Sequence, residues 1–146
     1  MLSITKENYN ELYKQISSIK GIGDKTAMEL IVSTGGGSHF QSAKQFSKYV
    51  GLAPIYEHSG SSVRKKGHIN RHGNPQLRSL LYMSSWPAIR FNKSCKAFYE
   101  RLKERGKPGK VALIAVANKL IRQVFAIMRG NTLYVDGYIS KLKVNP

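Results

Sequence analysis

Apolar positions recur at helical spacing through most of the chain and lose that period in one place. Tyr9, Leu12, Tyr13 and Ile16 share one face of residues 5–18, with Thr5 as the expected N-cap. The period breaks at Ile19, Gly21, Ile22 and Gly23, then resumes over residues 24–34 with Ala27, Leu30 and Ile31 facing inward until Gly35, Gly36 and Gly37 end it. Ser42 is expected to cap a third helix with Phe46 and Val50 in the core and Gly51 as its stop. Ile55 and Tyr56 read as a short extended piece. Between Ser59 and Asn74 only Val63 and Ile69 interrupt a basic run, which predicts an irregular loop or a short β-hairpin turning near Lys66 and Gly67. Asn74 and Pro75 supply a cap and an N1 proline for a helix to about Phe91, with Leu77, Leu80, Leu81 and Ser84 inward and Pro87 expected to kink or divide it. A further helix over residues 93–105 should bury Phe98 and Leu102 and end at Gly106. The long apolar helix over residues 110–129 carries apolar residues on more than one face, predicts the centre of the core or of a dimer interface, and closes at Gly130. The tail, with Tyr134, Tyr138 and Ile139, reads as loosely docked.

The pattern predicts a mainly α fold: a helix-hairpin-helix followed by a basic loop or short β-hairpin and a helical bundle. We read it as one domain, with parts at 1–50, 51–73, 74–130 and a tail at 131–146. A length of 146 residues is enough for a real core.

Charge changes the picture. The chain has 24 Lys and Arg against 8 Asp and Glu, a formal charge of +16, and points to a polyanionic partner. An apolar content of 41% and eight tyrosines argue for a folded basic protein, not a disordered tail. Residues 64–110 hold most of the cations, whereas the first 50 residues are closer to neutral. A lone cysteine, Cys95, excludes an internal disulfide and fits a reducing cytosol. No apolar run approaches the roughly 20 residues of a membrane span. The expected location is cytoplasmic, with DNA or RNA as partner and no membrane.

Two stretches carry candidate chemistry. In the first, Gly21 and Gly23 remove side chains beside the start of a helix, so backbone amides there can approach a DNA phosphate, with Lys20 and Lys25 adding charge. A tight packing turn would use the same glycines. In the second, Ser59, Gly60, Ser61 and Ser62 stand next to Arg64, Lys65 and Lys66, with Arg71 following. A Ser-Gly step can expose a hydroxyl, and the cations can hold a phosphodiester against it. A solvated Gly/Ser loop is the plainer alternative. The eight acids show no recognisable ligand spacing for paired metal ions, and His39, His58, His68 and His72 have no cysteine partners at zinc spacing.

The ordered strings GIGDKTAMELI, FQSAKQFSKYVGLAP, HSG, KKGHINRHGNPQLRSLLY and FYERLKERGKPGKVALIAVANKL resemble the carboxy-terminal domain of the insertion-sequence one-hundred-and-ten family transposases, the Piv/MooV-type recombinases. The resemblance covers about residues 17 to 130. It implies that Ser59 is a nucleophile for DNA strand cleavage and joining. It also implies that Gly60, Arg64, Gly67, Gly73, Asn74 and Arg78 contact substrate or shape the site. Further implied are an amino-terminal RuvC-like domain with an acidic metal-binding tetrad, a coiled-coil linking the two, and a structured guide RNA. A dimer or tetramer is expected, with the helix over 110–129 contributing. On this reading no cofactor belongs to this chain; Mg²⁺ enters only with the acidic domain, and the chain, read as a fragment or split product, is inactive without it. The alternative is a non-catalytic nucleic-acid-binding module or remnant, in which the cations matter and Ser59 does not. A ribosomal-type RNA-binding protein would fit the charge alone.

Overall fold

Helix-forming segments with apolar faces leave a bundle as the way to bury them, and a computed structural model of the chain describes that bundle over residues 2–37, 39–52, 54–55, 68–69 and 73–137. Its elements are α1 (Leu2–Ser17), α2 (Asp24–Thr34), α3 (Ala43–Val50), β1 (Pro54–Ile55), β2 (His68–Ile69), α4 (Pro75–Phe91), α5 (Lys93–Glu104) and α6 (Gly109–Gly130). The fold is mainly helical. α1 starts before the expected cap, so Thr5 lies inside it and not at its start.

α6 is the centre. It packs against α1, α3, α4 and α5, and Ala112, Leu113, Val116, Ala117, Leu120, Ile121, Val124 and Ile127 are buried along it. At 22 residues it is long and apolar enough to cross a membrane by length and composition, contrary to the sequence expectation. Its buried residues are packed among the other helices, while Val111 near its start is exposed. Gly130 is its last residue; Asn131, with φ at 50°, takes the left-handed position that closes it.

The other helices supply one face each. Ile16, Ala27, Leu30, Ile31, Phe46, Val50, Leu77 and Leu81 are buried as expected. Ser42 accepts from the Gln45 amide at 3.2 Å, and Gly51 ends α3 in the left-handed region. Leu80, Phe98 and Leu102 are only half buried, and α5 is fully buried only at Cys95, because it lies on the outside of α4 and α6. Phe98 sits instead under the Lys119 ammonium at 5.1 Å and the Arg101 guanidinium at 5.7 Å. Pro87 does not divide α4, which runs unbroken from Pro75 to Phe91. The carbonyl that proline leaves without a donor belongs to Met83, an exposed residue where water can replace the bond. Burial pushes the Cys95 thiol up to about 12, so at neutral pH it is a protonated packing group.

The joint between α4 and α5 is a polar knot. Asn92 is fully buried. Its amide nitrogen donates to the Lys20 carbonyl at 3.1 Å and to Gln123 Oε1 at 2.8 Å. Its Oδ1 accepts from the Cys95 amide at 3.2 Å, from Ser94 Oγ at 3.2 Å and from the Tyr134 hydroxyl at 3.0 Å. One side chain therefore ties together the α1–α2 turn, the start of α5, α6 and the segment after it.

That segment is docked more firmly than expected. The Tyr134 amide donates to Ser18 Oγ at 2.9 Å, and Asp136 Oδ1 accepts from the Lys93 amide and the Tyr134 hydroxyl, each at 2.9 Å. These bonds, the Lys93 amide above all, hold the Asp136 carboxyl below its usual 3.8. A depressed folded value means that Asp136 stabilises the fold at all pH values above 3.8 and that this contribution disappears as pH falls through the lower folded value. Melting temperatures of the parent and Asp136→Asn, followed downward from pH 5, should therefore converge as the acid range is reached. A constant gap between the two would show that the carboxylate plays no part in docking.

Candidate nucleic-acid interface

Packing around Gly73 brings the two ends of the basic loop together. A Cβ added at Gly73 would collide with the Gly51 backbone and lie 2.6 Å from the Val50 carbonyl carbon, so the chain entering α4 rests directly on the chain leaving α3. Next to this contact the Asn74 amide donates to the Tyr49 carbonyl at 3.1 Å. The Tyr49 hydroxyl in turn donates to the Ser33 carbonyl at 2.9 Å, which ties the junction to the end of α2. Beyond it, β1 and β2 pair antiparallel with Pro54 opposite Ile69 and Ile55 opposite His68.

The result is a stem, and residues 56–67 connect its two strands. β2 finds its partner in β1, beside the stacked glycines; the expected turn near Lys66 and Gly67 lies outside the described residues. Ser59, Gly60, Arg64, Lys65, Lys66, Gly67 and Arg71 lie outside the described residues.

At the foot of the stem, Asn74 uses its side chain locally. Its Oδ1 accepts from the Gln76 and Leu77 amides, both at 3.1 Å, and so caps α4. Arg78, half exposed one turn further on, has its amide on the Asn74 carbonyl at 3.0 Å.

The glycine turn between α1 and α2 divides its two glycines between two jobs. Gly21, at φ 107°, faces α4, and a Cβ there would lie 2.8 Å from the Ala88 Cβ. Its missing side chain is thus accounted for by packing. Gly23 faces open space and is the N-cap of α2, without a side-chain cap. Lys20 and Lys25 are exposed beside it. Asp24, also exposed, opens α2 and receives a hydrogen bond from Tyr13 that raises the Tyr13 phenol above its usual range.

The foot of the loop and the glycine turn lie at different points along α4. Asn74 and Ala88 are fourteen residues apart on α4, about 21 Å along the axis, or roughly six base steps of a duplex. α5, the turn after it and the start of α6 expose Lys93, Lys96, Arg101, Lys103, Arg105, Lys107 and Lys110. The arrangement suits an extended polyanion rather than a small phosphate ligand.

Sequence reasoning did not find Asn92, Gln123, Tyr134 or the stacking of Gly73 on Gly51. An asparagine directly before a helical run is an N-cap signal that would have marked Asn92. Its remaining partners come from residues 20, 123 and 134, which no local pattern connects.

Residues 13–100 match the model of the transposase IS116/IS110/IS902 family. Over 118 residues the chain is 38% identical to the pilin gene-inverting protein of Moraxella bovis, covering 80% of this chain and 36% of the relative. It is 34% identical over 119 residues to the insertion element IS110 43.6 kDa protein of Streptomyces coelicolor, covering 82% and 29%. The transposase for insertion sequence element IS1111A of Coxiella burnetii is 31% identical over 132 residues, covering 88% and 36%. The chain thus spans only about a third of the length of these curated relatives. With the family match extending from the middle of α1 into α5, the chain belongs to the IS116/IS110/IS902 transposase family.

Proposed function

We propose that this chain is the carboxy-terminal, DNA-engaging domain of a transposase or site-specific recombinase and that Ser59 supplies the nucleophile for strand cleavage and joining. The observation that carries the reading is the stem. It brings both ends of the Ser-Gly loop together beside α3 and α4, which supports a functional loop between them. In the step itself, Ser59 Oγ gives up its proton and attacks the phosphorus. The bond to the departing deoxyribose oxygen breaks, that oxygen takes a proton, and a phosphoserine diester remains. Attack by a deoxyribose hydroxyl on the diester reverses the step and joins strands. Arg64, Lys65, Lys66 and Arg71 neutralise charge on the non-bridging oxygens. Lys20, Gly23 and Lys25 hold the backbone of the same duplex some base steps away, with Gly60, Asn74 and Arg78 shaping the site and Gly21 seating the turn.

The active assembly on this reading includes an acidic RuvC-like domain that brings Mg²⁺, a structured guide RNA and more than one copy of the chain, in the cytoplasm. The test is a denaturing gel for a covalent protein-DNA adduct on a junction substrate, with the acidic domain and guide RNA supplied. An adduct present in the parent and absent in Ser59→Ala is expected. Rejoining by Ser59→Ala at the parental rate would remove Ser59 from the chemistry. Binding without adduct under any condition, weakening roughly 10³- to 10⁵-fold between 50 and 200 mM salt if six to ten phosphates are held, would leave a non-catalytic DNA-binding module.

A further inference from the structure

Pro87 stands in the interior of α4, where a proline removes a backbone hydrogen bond and costs stability, yet the helix runs through it unbroken. The carbonyl it releases is that of Met83, one turn earlier. At about 100° per residue, Trp86, Arg90, Met83 and Pro87 fall within about 100° of one another around the helix. That sector is turned away from the face on which Leu77, Leu81, Ser84, Ser85 and Ala88 are buried. Met83 is 64% and Trp86 53% exposed, Arg90 is exposed, and Trp86 is the chain's one tryptophan. One patch thus presents a flat aromatic ring, a guanidinium and a backbone acceptor released from its helical bond.

We propose that this patch is a receptor for one unpaired base of DNA. The base stacks on the Trp86 indole, its Watson–Crick edge donates to the Met83 carbonyl, and Arg90 pairs with the adjoining phosphate. Every base has a π face, so stacking on an aromatic ring accepts any of the four. Each also carries an amino group or a ring N–H on its Watson–Crick edge and can donate to a carbonyl. In a duplex those donors are paired and the faces are covered by neighbouring bases. The patch therefore takes a base only when it is unpaired.

Charge selects the occupant. α4 contains no acidic residue. Asn92 donates to the Lys20 carbonyl at 3.1 Å, and Gly21 rests on Ala88, so the exposed Lys20 and Lys25 flank the turn at this end of the helix. Lys93 is exposed just beyond Asn92. The acids Asp24 and Asp136 already accept hydrogen bonds, the first from Tyr13 and the second from the Lys93 amide and Tyr134. Two apolar side chains among cations are too narrow for a protein interface, whose core is depleted of charge. A lipid surface would need the wide apolar face of α4, which is turned into the core. The inference rests on the reading that the chain engages DNA, and not on Ser59 being the nucleophile.

Trp86 emission, excited apart from the eight tyrosines, reads the site directly. Titration with a short single-stranded DNA should quench it, while the same sequence as a closed duplex binds through its phosphates and quenches little. Trp86→Ala, at an exposed position, should keep the helical circular dichroism and the duplex affinity and lose about 5- to 150-fold in affinity for the single strand. A strand of the same length without bases should bind the parent and Trp86→Ala alike. Pro87→Ala returns a donor to the Met83 carbonyl: melting should rise, quenching should persist, and single-strand affinity should fall about two- to tenfold. Equal single-strand affinity of the parent and Trp86→Ala overturns the proposal, and so does quenching by the duplex or the baseless strand that matches quenching by the single strand. Tighter quenching by RNA of the same sequence overturns the assignment to DNA. Emission that answers to protein concentration or to lipid vesicles instead makes the patch a protein or membrane contact. Salt-sensitive duplex binding with no quenching by any strand removes the base receptor alone, whereas no binding to any DNA removes the proposed function with it.

Discussion

Replacing Gly73 with alanine is expected to open the stem of the Ser-Gly loop. The atoms in the way are the Gly51 backbone and the Val50 carbonyl carbon, so no flexible side-chain tip can swing aside. Overpacking costs about 1–3 kcal/mol, and a clash between main chains belongs at the upper end. For a chain of this size about 3 kcal/mol corresponds to a fall in melting temperature of roughly 6–12 °C. The Asn74 amide should lose its protection, because its bond to the Tyr49 carbonyl lies beside the clash. Adduct formation should fall with it, since both ends of the loop are released together. Gly23→Ala is the control. That site is open, so melting should change by no more than about 1 kcal/mol, the range for an N-cap. A Gly73→Ala protein with parental melting and parental Asn74 protection would show that the two strands of the stem do not touch as described.

Asn92→Ala should cost as much or more. Truncation leaves the Lys20 carbonyl and Gln123 Oε1, both part-buried, and the buried Cys95 amide without this partner. Each such loss is worth about 1–3 kcal/mol before water or neighbours compensate, and the α5 cap goes with them. About 3–5 kcal/mol is expected for the whole, roughly 6–20 °C in melting temperature. Asn92→Asp keeps the acceptor, loses both donated bonds and buries a charge, so its loss should be similar and should grow as pH rises above the carboxyl's titration. Gln123→Ala should cost less, because Asn92 then keeps its bond to Lys20. Melting of Asn92→Ala within a degree of the parent would mean that the apolar core alone sets the joint.

Most element boundaries were legible because their signals are local. Ser42, Gly35 and Gly51, and the Asn74-Pro75 pair each act within one turn of themselves, and the structure places a cap or stop at each. Errors arose where the deciding partner is remote. Phe98 looked like a fully buried residue from its period, but it is only partly buried against the core and two cations lie over the ring. Gly130 looked like a helix stop, yet Asn131 can take the left-handed position through its short polar side chain. Tyr134 looked unpatterned because its partners, Ser18 and Asn92, are far away in sequence.

The sequence alone determined the helical class, the order of the helices, the basic character and the family, since periodicity, capping residues, charge and ordered motifs are all properties of short stretches. Only the tertiary structure decided how the glycines are used. Gly21 seats the α1–α2 turn on Ala88, Gly73 stacks on Gly51, and Gly23 stays open, a division that the same residue type at similar spacing does not reveal. It also decided which apolar residues remain available. Leu120, Ile121 and Val124 of α6 disappear into the core, while Met83 and Trp86 of α4 stay on the surface. The reason is physical: burial depends on what packs opposite a side chain, and the chain brings those partners together only when it folds.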